Sequence, residues 1–274
     1  MDAIRLSPPR RLSLPVDNRW GAGEMNVLDF GDPERPVDLV FVHANGFNAM
    51  TYRSLLAPLS GTLRNWAPDL RGHGLTTLPA EPNGRRGWAD HRDDLIALLA
   101  AAERPERVSK LVLFDPVIWR RWTVLAFQLP LLERMASHIP LVKSARRRRA
   151  VFDSREQAMA AYAGRGAFRG WPEVMLADYL ADGLIETADG LTLACPPEWE
   201  ASNYAAQAHD PWRALKRLDR PVRILKGETG STCSVPARPR GLSRVTVESV
   251  PGGTHFFPML KADVARDALF DASV

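Results

Sequence analysis

Three short stretches of this sequence carry the residue types that move protons or steady charge. The first is His43-Ala44-Asn45-Gly46-Phe47, directly after the apolar run VDLVFV at 37–42. A small glycine-containing turn after a buried strand can aim backbone N–H groups at the oxygen on which charge develops in acyl transfer. The same residues equally describe a tight turn around a satisfied histidine. The second stretch is Ala67-Pro68-Asp69-Leu70-Arg71-Gly72-His73-Gly74. It reads as a structural loop, in which Asp69 and Arg71 are expected to pair and brace the backbone. The third is Val250-Pro251-Gly252-Gly253-Thr254-His255-Phe256-Phe257. A histidine on such a loop suits a general base, because it can approach a reacting group without blocking the substrate.

The elements around these stretches set where they stand. EMNVLDF at 24–30 alternates and reads as a strand. VDLVFV at 37–42 and VSKLVLF at 108–114 are nearly continuous apolar runs, as buried parallel strands are. LRNWA at 63–67 is a weaker strand; VRILK at 222–226 and VTVESV at 245–250 are two more. WADHRDDLIALLAAA at 88–102 and residues 260–270 read as helices. Residues 117–212 change character, with helical spacing and no strong strand. Strands alternating with helices imply an α/β fold with a doubly wound, mostly parallel sheet, whose ligands bind at the carboxyl ends of the strands. The expected division is a core at 1–116 and 213–274 with a helical cap inserted at 117–212.

VFVHANGFNAMTY, WAPDLRGHG, KLVLFDPV and VPGGTHFF stand in the order and spacing of the α/β-hydrolase family. The chain resembles that family over about 24–116 and 213–272. The resemblance implies that His255 is the catalytic base. It also implies that the Asn45 backbone N–H, in the turn of His43 and Gly46, is an oxyanion donor, with Phe47 lining the pocket. The acid it implies is Asp115 at the end of LVLF, or Glu228 in the loop after VRILK, with Asp115 favoured.

One part of the family pattern is missing. No serine has glycines two residues before and two after it, as the G-x-S-x-G nucleophile elbow requires. Gly241-Leu242-Ser243 comes nearest, but it leads into a strand instead of leaving one. WADHRDDLIALL looks like the helix before the elbow strand, and ALLAAAERPERVSKLVLFDP like the tail of the helix after it. Fused in this way, the two leave out one central strand and its elbow, on the order of 20–30 residues. VSKLVLF is then expected to pair directly beside VDLVFV. The resulting expectation is a hydrolase of carboxylic esters or similar small substrates with impaired catalysis. The alternatives are a non-catalytic ligand-binding protein on the same scaffold, or a carboxylate nucleophile at Asp115.

Composition bounds the rest. The chain has 274 residues, of which 45% are hydrophobic and 25% charged, with a formal net charge of +4. No basic face interleaved with aromatics points to nucleic acid. Arg146, Arg147, Arg148 and Arg149 read as a solvated face, or else as an attraction for an anionic substrate or membrane surface. Cys195 and Cys233 are too few for a disulfide framework, and no run is long enough to span a membrane, so a cytoplasmic location is expected. No cofactor loop or metal-ligand spacing is present, so no cofactor and no metal is expected. The aromatic residues Trp119, Trp122, Phe127, Phe152, Phe168 and Trp171 suggest either an apolar ligand or packing within the cap.

Overall fold

The computed structural model describes residues 8–102, 108–129, 134–188 and 190–273. Its strands are β1 (Arg10–Asn18), β2 (Gly21–Phe30), β3 (Leu39–Val40), β4 (Asn65–Pro68) and β5 (Leu111–Phe114). They continue as β6 (Val151–Phe152), β7 (Leu184–Thr187), β8 (Gly190–Leu193), β9 (Val222–Gly227) and β10 (Val245–Val250). The chain forms two compact units. One comprises Met1–Pro82, Ala89–Arg104 and Ala145–Glu200; the other comprises Asn83–Trp88, Pro105–Ser144 and Ala201–Val274.

The first unit holds a sheet of order β1-β2-β4-β3, with the β3–β4 pair parallel and the others antiparallel. From Met25 to Phe30, β2 is buried along its whole length. The helix Ala89–Ala101 sets Leu95 and Leu98 on one face, and Ala102, just past its end, continues the spacing. That face packs on Val16, Met25, Val27 and Trp66. The signal for β1 is weak in the sequence. Leu12, Leu14 and Val16 do alternate, but Pro15 weakens the strand signal. An edge strand tolerates it because its outer N–H groups need no partner.

The same unit contains a second, antiparallel sheet of order β6-β8-β7. It adds three short strands to the segment 117–212, which the sequence marks as helical with no strong strand. These strands are two to four residues long, too short to show a period in sequence. The rest of that segment is helical where described, as in Arg155–Tyr162, Glu173–Gly183 and Pro197–Ala205.

The second unit is built on a parallel sheet of order β10-β9-β5. Val222, Ile224 and Val245 pack with Ile118, Leu215, Val235 and Leu242 in its core. The expected ladder between 37–42 and 108–114 is not formed. β5 pairs with β9, and β3 pairs with β4. Only Leu39 and Val40 of the 37–42 run take strand pairing, which leaves little to build a second ladder on.

The 67–74 loop is braced from an unexpected side. Arg71 forms a two-pronged ion pair with Asp94 (Nε–Oδ2 2.9 Å, Nη2–Oδ1 2.7 Å), not with Asp69. Both groups are almost wholly buried, at 1% and 0% side-chain exposure. Arg71 also donates to the carbonyls of Trp20 and Pro79, so its fork is satisfied without water. Breaking a buried pair from one side strands the other charge. Arg71→Met is therefore expected to lower unfolding free energy by about 3–5 kcal/mol, measured by urea denaturation. A loss under about 1 kcal/mol would mean that Asp94 needs no partner.

Candidate functional site

Three chain segments of the second unit meet at Asp115. Strand β5 ends there, and Asp115 takes a left-handed backbone (φ 41°), the only such non-glycine among the described residues. That turns the side chain toward the loop after β9. Its carboxylate is buried, with 0% side-chain exposure. Oδ1 accepts from the Gly227 N–H (3.1 Å) and the Ser231 hydroxyl (2.5 Å). Oδ2 accepts from the Thr232 N–H (3.0 Å) and hydroxyl (3.3 Å). His255, on the loop after β10, completes the set: its Nδ1–H donates to Oδ2 at 2.6 Å. Burial alone raises the Asp115 pKa. The hydrogen bonds from His255, Ser231 and the two backbone amides outweigh it and bring the pKa down to about 2.

The dyad therefore carries a fixed negative charge under the imidazole. With Nδ1–H committed to Asp115, Nε2 is the basic nitrogen. The His255 side chain is 33% exposed, and Nε2 has no hydrogen-bond partner among the described residues. Ser231 and Thr232 lie on the carboxylate side of the dyad and are engaged there. Ser243 precedes β10, whereas His255 follows it, so the strand's length of about 20 Å separates them. Cys233 is buried, and burial raises its thiol pKa, so no thiolate substitutes for a serine. Glu228 is exposed and accepts from the Gly252 N–H (2.7 Å), bracing the histidine loop from outside. Its five hydrogen bonds leave Asp115 engaged as an acceptor, unlike a carboxylate nucleophile with a lone pair free for attack.

The 43–47 turn belongs to the first unit, where its polar groups find partners. His43 Nδ1–H donates to the Ala44 carbonyl (2.8 Å), and Nε2 accepts from the Leu70 N–H (2.9 Å). Burial lowers its pKa to about 4. His73 accepts the Gly46 N–H (3.1 Å) on Nε2 and donates from Nδ1 to the Arg71 carbonyl (2.9 Å). Burial, reinforced by the neighbouring imidazoles, lowers its pKa as well. The Phe47 N–H is used within the turn, on the Ala44 carbonyl (3.1 Å). The Asn45 side-chain amide donates from Nδ2 to the Glu200 carbonyl (3.1 Å). Gly46 is required: φ is +78°, and a Cβ there would meet the Glu200 carboxylate at 2.7 Å.

Phe47 packs edge-on against Tyr179 (5.8 Å) and Phe168 (6.1 Å) and lies 5.3 Å from Trp171. These rings and Phe152 are buried packing. Asp69 accepts from the Asn26 amide and from the Ala49 and Leu75 N–H groups, and burial raises its pKa to about 6. The arginine run is not one solvated face. Arg148 binds Glu200 (2.6 Å) and the Tyr179 hydroxyl (2.9 Å), and Arg146 pairs with Glu198.

Among the described residues, no group of histidine, cysteine or carboxylate side chains is placed to hold a metal ion. No helix there is long and apolar enough to cross a membrane.

No family model matches the chain, and no curated protein does. Solved structures do. E-2-(acetamidomethylene)succinate hydrolase aligns with a TM-score of 0.70 at 20% identity, covering 96% of this chain and 98% of that one. The peroxisomal alpha-beta-hydrolase Lpx1 from Saccharomyces cerevisiae aligns at 0.69 and 15% identity, covering 96% and 88%. The thioesterase domain from the curacin biosynthetic pathway aligns at 0.67 and 15%, covering 95% and 99%. This chain has the α/β-hydrolase fold.

The buried histidines make stability depend on pH. The folded His43 pKa lies below the ordinary 6.5, so the unfolded chain binds the proton first. Its contribution is complete above that ordinary value and is lost as pH falls toward about 4. Asp69, raised to about 6, acts in the opposite direction between its unfolded pKa and that value. The wild-type curve alone therefore mixes the two. The stability difference between wild type and His43→Gln is expected to shrink by roughly 3 kcal/mol from about pH 7 to about pH 4. Urea melts across that range measure it; a difference independent of pH would show that His43 is not held neutral.

Proposed function

We propose that the Asp115–His255 dyad is the working centre of a hydrolase acting on carboxylic esters or similar small apolar substrates, with weak turnover because no serine among the described residues stands at His255 Nε2. The observation that carries this reading is the 2.6 Å Nδ1–Oδ2 bond to a carboxylate kept ionised while buried. That bond orients the imidazole and leaves Nε2 basic and reachable. Nε2 takes a proton from water as the water oxygen bonds to the ester carbonyl carbon. Asp115 stabilises the imidazolium that forms. The tetrahedral intermediate collapses, the C–O bond to the alcohol breaks, and Nε2–H returns the proton to the leaving alkoxide. The products are the acid and the alcohol, with no covalent enzyme intermediate.

A second reading is a non-catalytic binding protein on the same scaffold. It is favoured by the lack of any described nucleophile at Nε2. Two free, buried cysteines accord with a cytoplasmic location for either.

The two readings separate in p-nitrophenyl acetate turnover. The hydrolase reading expects a slow rate without a burst, reduced on the order of 10²-fold by His255→Ala. Asp115→Asn should lose a comparable share by turning the imidazole into the wrong tautomer. An unchanged rate in His255→Ala leaves the binding reading. Burst kinetics with fluorophosphonate labelling would reveal a nucleophile and overturn the water route.

A further inference from the structure

We propose that residues 117–129 dock this protein on an anionic lipid surface. The inference is independent of the dyad's activity. Trp122 is 69% exposed, Leu125 64%, Leu129 56% and Val117 45%. In the helix Arg121–Phe127 and the turn after it, positions 122, 125 and 129 fall on one face. The other side is anchored. Val124 and Ile118 are buried, and the Trp119 indole N–H donates to Gln207 (3.0 Å). Scattered exposed apolar residues are ordinary, but a contiguous stripe held outward by an anchored back marks an interaction surface.

Charge selects the occupant. Residues 117–129 contain no Asp or Glu. Arg120 and Arg121 are exposed beside Trp122, and the Arg121 guanidinium lies 4.8 Å over the Trp212 ring. Tryptophan and arginine side by side above aliphatic side chains match the boundary between headgroups and acyl chains. There the indole and the leucines enter the apolar layer and the guanidinium groups meet phosphate. A second copy of the chain fits less well. Three side chains on two helical turns, with Val117 ahead of them, cover far less than the roughly 800 Å² per partner of a stable interface.

The test is co-sedimentation of the full chain with vesicles of phosphatidylcholine alone or of equal parts phosphatidylcholine and phosphatidylglycerol. Tryptophan emission is followed in parallel. The anionic vesicles are expected to pellet the protein and shift its emission to the blue. The double variant Trp122→Asp, Leu125→Asp should lose binding on the order of tenfold, with far-UV circular dichroism unchanged. Arg120→Glu should lose about fivefold, and added salt should mimic it. If the double variant does not fold, Arg120→Glu and quenching by brominated lipid decide the question. Three results overturn the proposal: no binding to anionic vesicles, binding insensitive to these substitutions, or a wild-type dimer that Trp122→Asp dissociates. The last would make a second copy the occupant.

Discussion

A carboxylate buried at the end of β5 organises the second unit. Taking an ionised group out of water is tolerable only when hydrogen bonds replace its hydration. Asp115 has five such bonds, drawn from the end of β9, the loop that follows it and the loop that follows β10. The loops carrying Ser231, Thr232 and His255 are thereby tied to one point. The same donors hold Asp115 in a left-handed conformation that costs a non-glycine residue about 1–2 kcal/mol and that a following proline disfavours further. The strain persists because the surrounding bonds over-determine it.

The imidazole inherits its properties from that arrangement. A hydrogen bond at Nδ1 fixes the ring's orientation and its tautomer. Geometry of this kind prepares a base and does nothing to supply a nucleophile. Glu228, the first residue beyond β9, shows how fine the distinction is. Its carboxylate serves the same histidine loop through the Gly252 amide, yet stays in water and takes no part in the dyad.

The first unit solves a different problem, that of burying polar loops. His43 and His73 act there as neutral connectors. Each takes an N–H from one loop and gives one to a backbone carbonyl, cross-linking residues 43–46 to 70–73. Arg71 ties the same loop to Trp20, Pro79 and Asp94. The two imidazoles thereby satisfy buried backbone donors and acceptors of both loops.

Much of this was legible beforehand. Apolar runs and alternation located β2, β4, β5, β9 and β10, because strand burial is written at a period of two or as an unbroken run. The three loops with histidines were legible from glycine placement, and the absence of a G-x-S-x-G turn needs no coordinates. β1 was readable in Leu12, Leu14 and Val16 but hidden by Pro15. Partnership was not legible. Asp115 and Glu228 are both acids at strand ends, and only the course of β5 beside β9 brings Asp115 to a histidine 140 residues away. Asp69 is two residues from Arg71, yet Asp94 takes the ion pair, because the helix Ala89–Ala101 presents it to the fork. Sequence by itself determined which residues could be strands, turns, acids and bases, since those follow from local periodicity and side-chain chemistry. Which acid meets which base was decided by tertiary structure alone, since a hydrogen bond reaches only about 3 Å and chain separation carries no information on that scale.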